Sequence, residues 1–109
     1  MSERKRLPTD RHGQTSKSKI GKSSIYITVN RNEEGEILEC FGKADDGHTS
    51  DIEGLCILTS IALQFGAPVQ TIVDKLRYRR YEPSGGPGQP LSISDALARV
   101  LEEESKDEG

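Results

Sequence analysis

Ile25, Ile27 and Val29 alternate with Tyr26, Thr28 and Asn30 in the stretch SSIYITVN at 23–30. Period-two alternation rich in β-branched residues predicts a strand with one buried face. Arg31-Asn32-Glu33-Glu34-Gly35 follows with turn chemistry, Gly35 being free to take a positive φ. Residues 36–41 read as a second strand, and the two strands as an antiparallel hairpin. From Ser50 the spacing becomes helical. Ile52, Leu55, Cys56, Thr59, Ala62 and Leu63 share a face, Ser50 and Glu53 stand at capping-box spacing, and Gly66 supplies a left-handed stop. Pro68 opens a second helix over 68–77, with Val69, Ile72, Val73 and Leu76 as its apolar stripe. So short a connection predicts a tight helical hairpin. The run EPSGGPGQP at 82–90 predicts a loop. Ser92 and Asp95 mark a third helix, with Ile93, Ala96, Leu97, Val100 and Leu101 on its apolar face.

The order β-β-α-α-loop-α predicts an α+β fold: a small antiparallel hairpin or sheet packed on a helical hairpin plus a C-terminal helix. Two strands alone are marginal. Either a third strand lies within 13–20, or a partner chain completes the sheet; a homodimer or higher oligomer is the expectation. Residues 1–19 read as a basic flexible arm, 20–101 as the folded domain and 102–109 as an acidic disordered tail.

Composition narrows the function classes. The chain has 109 residues and only 32% hydrophobic ones, so its core must be compact. No apolar run approaches the ~18 residues that span a membrane. No signal-like apolar segment follows the basic N-terminus, so a cytoplasmic protein without a membrane partner is expected. The net charge of −3 hides an asymmetry. Residues 1–22 sum to +5 and residues 102–109 to −4. A basic arm of this kind can seek phosphate, including nucleic acid. The absence of Trp and an aromatic content of 5% argue against broad base-stacking platforms.

Candidate chemistry is sparse. Arg77-Tyr78-Arg79-Arg80-Tyr81 is the densest mixed cluster: guanidinium groups bind phosphate bidentately, and tyrosines stack on bases. His48, Thr49 and Ser50 lead into the first helix, whose N-terminal amides suit an anion. These eight residues are the candidate ligand- or partner-binding set. Basic residues ending a helix and simple capping by Ser50 explain the same positions structurally. Gly21-Lys22-Ser23 ends like a phosphate-binding loop, but Ser16 stands where that pattern needs glycine. Asp45, Asp46 and Asp51 cluster without a metal-loop pattern. Cys40 and Cys56 lack CxxC spacing and read as small buried apolar groups. No nucleophile–base pair, cofactor motif or metal set is legible, so no catalytic residue, cofactor or metal is expected.

Several segments are similar, in order, to one known module. RKRLPT at 4–9, ITVN at 27–30 and SIALQFGAPVQTIVDKLRYRRYEPSG at 60–85 resemble the C-terminal domain of adenosylcobalamin-dependent (class II) ribonucleotide reductases, also called the TSCPD domain. Tyr81-Glu82-Pro83-Ser84-Gly85 takes the place of an FEPSG-like stretch, and Ser92 to Ala96 that of the following short helix. The resemblance implies no active site, since in those enzymes the radical cysteine, substrate pocket and cobalamin contacts lie on a large barrel. The family's C-terminal redox cysteines have no counterpart here. It implies a stand-alone, non-catalytic accessory or binding domain in nucleotide metabolism and DNA synthesis, with a reductase subunit as partner. The alternative is a small nucleotide- or cyclic-nucleotide-binding protein that sequesters or senses its ligand without turnover.

Overall fold

The computed structural model describes residues 3–45 and 47–106. Three strands and three helices follow in the order β1 (His12–Ile20), β2 (Ser23–Arg31), β3 (Ile37–Ala44), α1 (Thr49–Gln64), α2 (Val69–Leu76) and α3 (Ile93–Lys106). The sheet is antiparallel, in the order β1-β2-β3. The architecture is α+β, as its sequence pattern predicts.

The third strand corrects the reading of 1–19 as a flexible arm. Residues 12–20 pair with β2 along their whole length, from His12↔Arg31 to Ile20↔Ser23. A third strand within the chain removes the reason for a partner chain to complete the sheet. Gly21 and Lys22 form the two-residue loop between β1 and β2, Gly21 at φ 61. A two-residue hairpin of this kind needs a residue tolerant of positive φ. That demand explains the Gly-Lys-Ser sequence, which runs into a strand and not into a phosphate-binding helix. Residues before β1 are also docked: Lys5 N–H donates to Gln64 O, the Lys5 ammonium pairs with Glu36, and Arg11 pairs with Glu39. At the other end, α3 continues to Lys106, so residues 102–106 of the expected tail are helical. Asp107, Glu108 and Gly109 lie outside the described residues.

Ile25, Ile27 and Val29 are fully buried, as their alternation predicts, and face α1 and α3 together with Leu38 and Cys40. α1 and α3 cover this one face, and α2 adds Val73 to the same core. α1 packs along β3, and α2 packs chiefly against α3 instead of forming the expected hairpin with α1. The redirection is local. Gly66 takes φ 104 and Pro68 is extended at ψ 141, which swings the chain off the axis of α1. The Gly66 stop is a Schellman closure: Ala67 N–H donates to Ala62 O and Gly66 N–H to Leu63 O.

β3 is an edge strand, and α1 covers its free edge with side chains. Ser60 Oγ accepts from Cys40 N–H at 2.9 Å and donates to Cys40 O at 3.1 Å. Gln64 Nε2 donates to Leu38 O, and Thr49 Oγ1 both accepts from Ala44 N–H and donates to Ala44 O. The backbone groups of an open edge are thereby satisfied without another strand. The helix can come this close because residue 42 is glycine: a Cβ there would collide with Ile52 and touch Cys56 Sγ at 3.3 Å. No helix among the described residues is long and apolar enough to cross a membrane.

Candidate functional site

The eight sequence-selected residues fall into two groups with different surroundings. Arg77 to Tyr81 form a turn between α2 and the 82–90 loop, and the start of α3 fastens it. Asp95, fully buried, is the fastening point. Its Oδ1 accepts from the Arg77 guanidinium at 2.7 Å and from Tyr78 N–H at 2.8 Å; its Oδ2 accepts from Leu91 N–H at 2.9 Å. Arg99 Nε stands 3.4 Å from the same carboxylate, and Arg77 Nε 3.6 Å from Glu102. Ser92 completes the clamp: its hydroxyl accepts from Asp95 N–H and donates to Arg79 O at 2.6 Å. Tyr81 N–H donates to Leu91 O.

Burial is the largest influence on the Asp95 carboxyl and pushes its pKa up. The amides of Leu91 and Tyr78 and the Arg77 guanidinium outweigh it, and the carboxyl is held below its ordinary value. Burial likewise works against the charge on Arg77, but Asp95 more than restores it, and the guanidinium pKa is raised. Arg77 is therefore a structural cation, not a free ligand group.

The residues that follow are presented outward. Tyr78 is held at φ 68, a left-handed conformation uncommon for a non-glycine residue, and the residue is 70% exposed. The Arg77 guanidinium stacks over that ring, 4.1 Å from its centre. Arg79 reaches only Lys75 O, and Arg80 only Ser84 Oγ, so neither guanidinium has an acidic partner among the described residues. Tyr81 is exposed and lines a groove of ≈ 380 Å³ with Asp51, Leu55 and Leu58 of α1.

At the start of α1 the picture is different. Thr49, not Ser50, begins the helix, and its hydroxyl is spent on Ala44. His48 is the N-cap residue and makes no side-chain cap; its Nδ1 stands 3.5 Å from Asp51. Ser50 is exposed in the first turn and does not cap the helix. The capping box expected of Ser50 and Glu53 is thus replaced by a helix-to-strand bond. Of the described members of the acidic cluster, Asp51 lines the groove with Tyr81 and Asp45 does not; Asp46 lies outside the described residues.

Cys40 and Cys56 are both buried and free. The Cys40 thiol donates to Cys56 O at 3.6 Å. A hydrogen bond from Cys56 lowers the Cys40 pKa against the opposing effect of burial, and the same bond, with burial, raises that of Cys56. Among the described residues no group of three or more His, Cys, Asp or Glu side chains could hold a metal ion. The residue that sequence reasoning missed is Asp95, read only as a helix-start marker. Its i,i+4 spacing to Arg99 was the available signal.

The family model described as the TSCPD domain matches residues 2–105. The chain is 32% identical over 100 residues to a vitamin B12-dependent ribonucleotide reductase of Bradyrhizobium diazoefficiens, covering 89% of this chain and 8% of that protein. A Streptomyces clavuligerus protein of the same name is 32% identical over 106 residues, covering 90% of this chain and 11% of the relative. One from Rhodopirellula baltica is 34% identical over 106 residues, covering 90% and 10%. The chain thus spans about a tenth of the length of these relatives. No solved structure matches it. The chain belongs to the TSCPD domain family.

Proposed function

We propose that the chain is a non-catalytic accessory domain of ribonucleotide reduction, which binds a reductase subunit through the turn at 78–81. One observation carries this reading: a buried carboxylate holds Tyr78 in a left-handed conformation and so displays Tyr78, Arg79, Arg80 and Tyr81 together. Backbone strain of this kind persists only where surrounding structure enforces it, and it concentrates at recognition sites. Aromatic and arginine side chains are the commonest anchors of protein interfaces. The names of the relatives supply the partner class. Co-elution with a purified vitamin B12-dependent ribonucleotide reductase in size-exclusion chromatography tests the reading. A shared peak that Arg79→Ala with Arg80→Ala abolishes supports it; separate peaks at micromolar concentrations contradict it. The purified chain supplied with adenosylcobalamin, a dithiol and a ribonucleotide yields no deoxyribonucleotide on this account.

The two guanidiniums without acidic partners also favour a second reading, a nucleotide or cyclic nucleotide held by its phosphate without turnover. Calorimetry against a nucleotide panel separates the two. Saturable heat lost in the same double variant supports this second reading, and no heat at millimolar ligand removes it.

A further inference from the structure

We propose that the outer face of the sheet is a binding platform for single-stranded nucleic acid, with Tyr26 and Phe41 as its stacking rings. All helices lie on the other face, so the Tyr26 and Phe41 rows of this one are open; the next row, Asn30 and Glu39, is buried with Arg11 bonded to Glu39. The strand register sets Lys17, Tyr26 and Lys43 in one row across β1, β2 and β3, and Thr15, Thr28 and Phe41 in the next. Tyr26 is 40% exposed and Phe41 54%; the other members of this face are polar or cationic apart from Glu39, which stands opposite Asn30 and is bonded to Asn30 and Arg11.

Phe41 is the diagonal cross-strand neighbour of Tyr26, which places the two side chains roughly 7–8 Å apart at their bases. Consecutive unstacked nucleotides can bridge such a gap, one base on each ring. Aromatic rings on adjacent strands of an open sheet are a recurring way to hold single strands, because every base has a π-face.

Charge selects the occupant. The Lys17 ammonium stands 5.9 Å from the Tyr26 ring centre, and Lys19 reaches the Ser24 hydroxyl. Among the described residues Lys17, Lys19 and Lys43 have no acidic partner. Unpaired ammonium groups flanking exposed rings fit a phosphate backbone with bases laid inward. The acidic residues of α3 belong to the helical layer. The face's own carboxylate, Glu39, is paired with Arg11, so the chain's net charge of −3 does not describe this face. The surface is distinct from the 78–81 turn, so the two assignments stand or fall separately.

The test is fluorescence anisotropy of a labelled oligothymidylate and its oligouridylate counterpart, each about 12 nucleotides long. Binding is expected to weaken with salt at a log–log slope of about −0.7 for each phosphate neutralised, and Lys17→Ala should make that slope shallower. Tyr26→Ala and Phe41→Ala should each weaken binding roughly tenfold, with Tyr26→Phe losing less than Tyr26→Ala. Glu103→Gln, on α3, should change nothing. Circular dichroism melting of each variant separates lost contacts from lost fold. No anisotropy change at low salt, equal affinity for the matching duplex, or full affinity in the folded Tyr26→Ala and Phe41→Ala variant would each overturn the proposal.

Discussion

Arg77 and Asp95 form a 2.7 Å ion pair whose carboxylate is wholly buried, and this pair fixes the one non-glycine residue of positive φ among those described, Tyr78. The carboxylate is shared by two backbone amides and two arginines, so its removal leaves several groups unpaired at once. Asp95→Ala is expected to cost about 3–5 kcal/mol, the usual result of breaking a buried pair from one side. Urea unfolding measures it. A loss below about 1 kcal/mol would mean that water replaces the carboxylate without difficulty.

Acid should find the same group. The Asp95 carboxyl is held below its ordinary value in the folded chain, and so is that of Glu36, chiefly through its bond from Lys5 and then that from Asn32. The unfolded chain therefore binds protons first as pH falls. The stability contributed is complete above the ordinary carboxyl range near pH 4 and is lost as pH drops through the lowered folded values. Asp95→Asn should flatten this acid limb in part, with Glu36 accounting for the remainder. An unchanged limb in Asp95→Asn, followed by denaturant melts from pH 5 to about pH 2, would exclude Asp95 as its source.

Tyr78 is a position where backbone and surface function separate. Tyr78→Val should cost about 1–2 kcal/mol, because a β-branched residue fits the left-handed region poorly. Tyr78→Gly should be nearly neutral, as relief of strain offsets the lost ring contact with Arg77 and the greater freedom of the unfolded chain. Both variants remove the ring and should weaken partner binding alike. Thermal melts alongside binding isotherms check both halves.

Between β3 and α1, the contact at residue 42 admits no side chain. Gly42→Ala forces a methyl into Ile52 and is expected to cost about 1–3 kcal/mol. The collision is with Ile52 Cγ1, so Ile52→Ala, which removes that atom, should cost less in the Gly42→Ala chain than in the native one, a coupling that a double-mutant cycle reads directly. Additive losses would place the strain elsewhere.

Ser60 tests the covered edge. Its hydroxyl serves both the N–H and the C=O of Cys40. Ser60→Ala should cost about 1–3 kcal/mol and raise the hydrogen-exchange rate of the Cys40 amide above that of its strand neighbours. Unchanged exchange would show that another group satisfies the edge.

Legibility from the sequence followed burial. β2 was readable because one face is fully buried and the other is largely polar, and α3 because its apolar positions all face the core. β1 was legible only as one of two alternatives, a third strand within 13–20: only Ile20 of its nine residues is buried, so it carries no alternation. The partner of α2 was also out of reach, since its stripe marks an apolar face without saying which helix covers it. In the candidate site, the cluster 77–81 was visible as composition, but its division was not. Arg77 turns inward because Asp95, eighteen residues later, waits there. Likewise Thr49, not Ser50, opens α1, and its hydroxyl bonds Ala44 of β3 where a helix cap was expected. Both are long-range demands with no local signature.

Hydrogen–deuterium exchange of the chain, alone and with a purified vitamin B12-dependent ribonucleotide reductase, tests the recognition turn most directly. The account predicts slowed exchange confined to the amides of 78–82, and its disappearance in the Arg79→Ala, Arg80→Ala variant. Protection elsewhere with the turn unaffected, or no protection at saturating reductase, would contradict it.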